Sequence, residues 1–184
     1  MTKTLSKIKQ WYSTGQVFAY PTEAVFGLGC DPQNRQAVSE ILRLKSRAIE
    51  KGMILIASEL HHIKPYVLFD DLPISSQQTI LASWPGPITW LLPKSPFTPE
   101  WISGDSPMVA VRLSAHRQVR KICDHIDKPM VSTSANPAGQ PPALNAQEVR
   151  SYFGQQILVV EGELGSGQSP SKIFHSLTME TIRA

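Results

Sequence analysis

Leu5, Ile8 and Trp11 or Tyr12 recur at helical spacing and the pattern stops at Gly15, so the chain opens with an amphipathic helix. Val17 to Tyr20 is a short apolar run halted by Pro21, the mark of a buried strand. From Asn34 onward, Ala37, Val38, Ile41, Leu42 and Leu44 outline a second amphipathic helix that runs out near Ser46. Met53 to Ala57 is then apolar at every position. The pattern continues with a helix over Pro73 to Trp84, ended by Pro85-Gly86-Pro87, and strands at Ile88 to Leu92 and Met108 to Arg112. A helix around Ala115 to Ile126, a strand at Met130 to Thr133, a helix at Asn145 to Phe153 and a strand at Gln156 to Val160 complete it.

Strands alternating with helices long enough to cross over predict an α/β layered domain with a twisted, mixed or largely parallel sheet. The runs Met53 to Ala57 and Ile157 to Val160 read as strands covered on both faces. No repeat or low-complexity linker divides the chain, so residues 1–184 are expected to form a single domain. In such sheets ligands bind outside the carboxyl ends of the strands.

Composition narrows the picture. The 184 residues carry 18 Lys+Arg and 15 Asp+Glu, a net charge of +3, spread evenly along the chain with no basic tail or arm. The longest apolar run is far too short to span a bilayer and the first fifteen residues lack the apolar core of a signal peptide, so a cytoplasmic location is expected. The two cysteines, Cys30 and Cys123, have no metal-binding spacing and read as idle thiols.

Four polar groups stand at or just past strand ends. Pro21-Thr22-Glu23 precedes Gly27-x-Gly29, which lacks the third glycine of a dinucleotide fingerprint. It reads either as a ligand-facing loop or as a tight strand-to-helix turn with Thr22 bonding its own backbone. If the second helix ends near Leu44, Lys45 and Arg47 lie on one side of an extended segment and converge on one anion, a good match for a polyphosphate; the alternative is a pair of cations complementing a helix C-terminus. Arg112 ends a nearly apolar strand and must reach solvent or pair with a carboxylate or phosphate. His116, Arg117, Arg120 and Lys121 read as a solvated helix face. Ser132 and Ser134 face one way on an extended segment, and Asn136 precedes Pro137; together they form a hydrogen-bonding cradle or a capped turn.

Other chemistries find less support. Gly162 to Ser169 nearly fits a phosphate-binding loop, but Gln168 stands where its lysine belongs and Pro170 spoils the helix start. His61-His62 has no third ligand at a recognisable spacing, and there is no G-x-S-x-G.

The stretches Tyr20 to Gly29, Lys45-Ser46-Arg47, Trp84 to Thr89, Val109 to Arg112 and Ser132 to Asn136, in this order, closely resemble the YrdC-like threonylcarbamoyl-AMP synthases, in their short bacterial form. The resemblance runs from about Val17 to the C-terminus. It implies a twisted mixed sheet with helices on both sides and a concave, positively lined cleft. It implies an enzyme, a nucleotidyltransferase, that condenses L-threonine, bicarbonate or CO2, and ATP into L-threonylcarbamoyl-AMP and pyrophosphate. A partner transferase complex then passes the threonylcarbamoyl group to adenosine 37 of tRNAs that read codons starting with A.

Carried over by position, Lys45 and Arg47 would hold the triphosphate with Lys51 nearby, and Ser134 and Asn136 would bind phosphate oxygens or magnesium-linked groups. Lys45, Arg47, Ser134 and Asn136 form the implied catalytic set, with Arg183 a nucleotide contact. Thr22 and Arg112 would hold threonine, Arg112 through its carboxylate, with Ser132 and Ser171 lining that pocket. Mg²⁺ is implied with ATP, and no residue is assigned as its ligand. Longer relatives carry a histidine on the strand after the K-x-R segment; its place here is Ile56, a departure from the pattern. Two other classes stay open: a non-catalytic module gripping tRNA or other RNA through a basic cleft, and a domain that senses a nucleotide without turnover. Trp84, Trp90 and Trp101, set among prolines and strand residues, suggest core more than base-stacking platforms.

Overall fold

The computed structural model describes residues 2–167 and 169–184, and only the backbone of Thr2, Lys3 and Lys51. Helix α1 (Thr2–Ser13) leads into β1 (Phe18–Pro21) and β2 (Phe26–Gly29), which pair antiparallel. Asn34 starts α2 (Arg35–Lys45), its side chain accepting from the Ala37 N–H, and Ser46 ends it in the left-handed region. There follow β3 (Ile54–Ala57), α3 (Leu60–Ile63), α4 (Ile74–Ser83), β4 (Ile88–Pro93), α5 (Glu100–Ser103) and β5 (Met108–Leu113). Then come α6 (Arg117–Ile126), β6 (Met130–Ser134), α7 (Ala146–Phe153), β7 (Leu158–Val159), β8 (Lys172–His175) and β9 (Thr181–Arg183).

The strands form one mixed sheet in the order β7-β1-β2-β6-β3-β5-β4-β8-β9. Three neighbouring pairs are parallel, β1 with β7, β3 with β5 and β4 with β8; the others are antiparallel. The strand period of two divides the core between the faces. In β3, Ile56 joins Phe18, Tyr20 and Met130 beneath Ile8 and Tyr12 of α1 and Val119 and Ile122 of α6. Leu55 and Ala57 turn to the other cluster with Val111, Val131, and Val38 and Ile41 of α2. The α/β fold with a mixed sheet and helices on both faces matches the sequence reading.

Several elements differ from that reading. Gly27 and Gly29 lie within a strand rather than in a loop or a turn into a helix, and they make room for an aromatic neighbour, while Gly27 also lines the cavity described below. A Cβ on Gly29 would stand 2.7 Å from the Tyr20 ring. The run Ile157 to Val160 is not covered on both faces: β7 is an edge strand and Leu158 and Val159 are only half-buried. The short helices α3 and α5 and the terminal strands β8 and β9 carry too few periodic positions to announce themselves. Both cysteines are free and buried. No described helix is long and apolar enough to cross a membrane.

Candidate active site

β6 lies between β2 and β3, with Ser134 opposite Gly27 and Ser132 opposite Ile54, and Arg112 on β5 stands opposite Ile56 on β3. This pairing puts Arg112, Ser132 and Ser134 on one face of the sheet, and all three border a cavity of about 240 Å³. Thr22, Arg112 and Ser134 stand at the carboxyl ends of β1, β5 and β6, but β5 runs opposite to β6, so these ends do not share one edge of the sheet; β2 and β4 contribute their amino ends through Phe26 and Pro87. Thr22, Arg47, Arg112, Ser132, Ser134, Ser171 and Arg183 all line the cavity. A larger groove of about 1090 Å³ between α1, α6 and residues 158–166 shares Glu23 with it and takes in His116, Arg117 and Lys121, but none of the residues to which the resemblance gives a role lines that groove.

Arg112 is 8% exposed, and its guanidinium is held on two sides. Nε donates to Gly86 O at 2.9 Å, and Nη2 lies 2.5 Å from Glu23 Oε1, which also accepts from Ser114 Oγ at 2.8 Å. The sequence placed Glu23 beside Thr22 without giving it a role. The Thr22 hydroxyl donates to Val25 O at 2.7 Å, so it does bond its own turn while also facing the cavity. Tyr20 OH donates to Ser132 Oγ at 2.9 Å, and burial pushes that phenol well above its usual range. Ser171 Oγ shares a hydrogen bond with Thr89 at 2.8 Å, and Arg183 Nη2 donates to Ser171 O at 2.6 Å.

Lys45 and Arg47 do not share one side of an extended segment. The helix runs through Lys45 and ends in a left-handed turn at Ser46, after which Lys45 reaches Ser134 and Asn136 while Arg47 reaches Gly52. Lys45 is buried, and its Nζ donates to Ser134 O at 2.5 Å, Asn136 O at 3.0 Å and Asn136 Oδ1 at 3.2 Å. Ser134 Oγ is a fourth oxygen at 3.4 Å, so the three N–H donors are engaged within the protein, and Lys45, which does not line the cavity, ties α2 to the loop after β6. Burial, with Arg47 nearby, lowers its pKa to about 8. Arg47 does line the cavity, with Nη2 donating to Gly52 O at 3.1 Å.

Asn136 likewise turns away from the cavity. Its Oδ1 accepts from Ser134 Oγ at 2.6 Å and its Nδ2 donates to Gln140 O at 2.8 Å, bracing the loop that carries Ser134. The Lys51 side chain lies outside the described residues. Ile56 is buried in the core under α6, whereas Ile54, two positions earlier on the same face, meets the cavity.

The segment rejected as a phosphate loop has another use. Gly165 N–H donates to Thr22 O at 3.0 Å and Gly167 N–H to Glu23 O at 2.9 Å, laying the chain along the cavity rim. A Cβ on either glycine would come within 3.0 Å of Glu23 backbone. The absence of side chains there is the signal, legible only once the partner strand is known.

Residues 10–184 match the model of the Sua5/YciO/YrdC family, whose description reads telomere recombination. The chain belongs to this family. Within it, the chain is 53% identical over 172 residues to the threonylcarbamoyl-AMP synthase of Pseudoalteromonas atlantica, covering 94% of this chain and 92% of that one. It is 44% identical to the synthase of Acinetobacter baumannii over 189 residues, 100% and 99% of the two chains. The structure of P. abyssi Sua5 complexed with L-threonine superposes with a TM-score of 0.84 at 27% identity, over 93% of this chain and 51% of that one. This member of the Sua5/YciO/YrdC family thus spans about half the length of Sua5.

Proposed function

We propose that this chain is a threonylcarbamoyl-AMP synthase that acts as one catalytic unit over residues 1–184 in the cytoplasm. The observation that carries the reading is the convergence of Thr22, Arg112, Ser132 and Ser171 with Arg47, Ser134 and Arg183 on one cavity. The first four suit an amino acid and the last three suit phosphates.

Arg112 donates Nε to Gly86 O and pairs Nη2 with Glu23 as an ion pair without a formed hydrogen bond, and Nη1 meets the carboxylate of threonine. Thr22, Ser132 and Ser171 take the hydroxyl and amine. The amine nitrogen bonds to the carbon of CO2 and loses a proton, giving a carbamate. A carbamate oxygen then attacks the α-phosphorus, the bond from that phosphorus to the bridging oxygen breaks, and pyrophosphate leaves. The reaction is a nucleotidyl transfer needing no covalent enzyme intermediate, so alignment of two anions and charge neutralisation are the main tasks. Arg47 and Arg183 neutralise the triphosphate. Lys45 acts from beneath, by holding the Ser134 carbonyl and the Asn136 loop in place.

Mg²⁺ fits this donor set as a passenger of ATP. Among the described residues the carboxylate lining the cavity is Glu23, already paired with Arg112, while the hydroxyls of Ser132 and Ser134 offer oxygen to a hard cation. Held by these hydroxyls, the ion would supply positive charge to offset that of the leaving pyrophosphate.

The RNA-module reading loses ground because Trp84 and Trp90 are buried and Trp101 donates its indole N–H to Pro32 O, leaving no stacking platform among them. The product serves a downstream transferase complex that modifies adenosine 37 of tRNA. The test is pyrophosphate release with ATP, Mg²⁺ and bicarbonate, with and without L-threonine, alongside mass detection of the adduct. Release that depends on threonine and bicarbonate supports the synthase; ATP binding with neither product overturns it. Normal release by both Lys45→Ala and Arg47→Ala would overturn the assigned roles.

A further inference from the structure

Two adjacent histidines with no third ligand near them in sequence acquire one through the fold. His61 and His62 lie on α3, just past β3, and Asp127 caps the far end of α6. Asp127 Oδ1 is 3.4 Å from His62 Nε2 and 3.7 Å from His61 Nε2, and one ligand atom from each residue lies within 4.8 Å of the other two. We propose that His61, His62 and Asp127 form a binding site for a divalent transition metal of the zinc class, separate from the catalytic cavity.

The distances carry the case. Metal–ligand bonds of about 2.1 Å in a tetrahedron put neighbouring donor atoms about 3.4 Å apart, so the two histidine–aspartate separations need little adjustment. The histidine rings are also already together, their centroids 4.1 Å apart.

The His62 ring and the Asp127 backbone are each held by something other than the other ligands. His62 is 5% exposed, and its Nδ1 lies 3.2 Å from Ser58 Oγ, which holds the ring with Nε2 toward Asp127. Asp127 is held by its left-handed backbone at φ 56° and by its N–H, which donates to Cys123 O at 2.8 Å. His61 and Asp127 are open to solvent, giving an entry path and room for a water as fourth ligand.

Two imidazoles and one carboxylate suit Zn²⁺, Ni²⁺ or Cu²⁺ and suit Mg²⁺ poorly, since Mg²⁺ asks for oxygen in near-octahedral array. Millimolar Mg²⁺ supplied with ATP therefore leaves the site to the softer metal. The bound ion cross-links α3 to the C-terminus of α6 on the α1–α6 side of the sheet, and stabilises the fold by mass action.

The test uses the full chain freed of any polyhistidine tag and of chelators, with Mg²⁺ in excess. Titration calorimetry with Zn²⁺ should show one equivalent bound and a raised melting temperature, and Co²⁺ should give the visible absorption of a four-coordinate site. His61→Ala and Asp127→Asn are exposed changes, and asparagine keeps the left-handed cap. Each should weaken Zn²⁺ binding at least tenfold and abolish the Co²⁺ spectrum, while pyrophosphate release stays at the level of the unchanged protein. Unaltered Zn²⁺ affinity in the double variant, or no stoichiometric binding to the parent protein, overturns the proposal. Neither result depends on the synthase reading.

Discussion

Arg112 Nη2 lies 2.5 Å from Glu23 Oε1, and the two side chains are only 10% and 15% exposed. Removing one partner of a buried pair strands the other charge. Glu23→Ala should therefore lower the unfolding free energy by about 3 kcal/mol in urea denaturation. Arg112→Lys keeps the charge but loses the fork that spans Gly86 O, Glu23 and substrate. Its threonine KM should rise roughly tenfold with the ATP KM near that of the parent, in line with loss of about one charge-assisted hydrogen bond.

Lys45 gives a pH test with two opposite arms. Its pKa of about 8 lies below the ordinary 10.5, so between those values the unfolded chain keeps a proton that the folded protein has released. Stability from this group therefore rises with pH across the window. Pyrophosphate release falls across the same window, as the ammonium beneath Ser134 is neutralised. Urea denaturation of the parent and Lys45→Met at pH 8 and pH 10 checks the first arm: the difference should move in favour of the parent at the higher pH. A constant difference would mean that the folded pKa is not depressed.

The Tyr20 hydroxyl donates a hydrogen bond to Ser132 Oγ across the sheet. Tyr20→Phe leaves that serine without its donor at a cost of about 1 kcal/mol. The threonine KM should rise a few-fold while kcat holds, as steady-state kinetics would show.

Gly165 lies against Glu23, and an added Cβ would meet Glu23 Cα at 2.9 Å. Gly165→Ala should lift the rim segment away from Thr22 and raise the threonine KM roughly ten- to a hundredfold, the scale expected for a displacement of about 1 Å. Because Gly165 is exposed, the melting temperature should change little.

Much of this was legible in the chain because local rules and tertiary packing agree there. Asn34 caps the helix its position announces, and the apolar run of β3 lies in mid-sheet. Ser132 and Ser134 share a face by the strand period alone, and both reach the cavity. What escaped depended on distant partners. Glu23 acquires its role only when Ser114, 91 positions away, and Arg112 close on it. The chemistry of Lys45 and Asn136 suits phosphate, and what the chain did not announce is that the fold also has them hold each other. Gly27 and Gly29 misled because glycine in a strand and glycine in a loop look alike until Tyr20 is seen lying against them.

The sheet order also sets a timetable for a chain emerging from the ribosome. Ser171 and Arg183 reach the cavity on or beside β8 and β9, which dock on β4, a strand made long before them. β1, among the first strands synthesised, waits in the same way for β7. A nascent polypeptide that has yet to add β7 to β9 holds Thr22 and Arg112 but lacks one wall of the cavity. Vectorial synthesis thus delays ligand capture until translation of this unit is nearly finished.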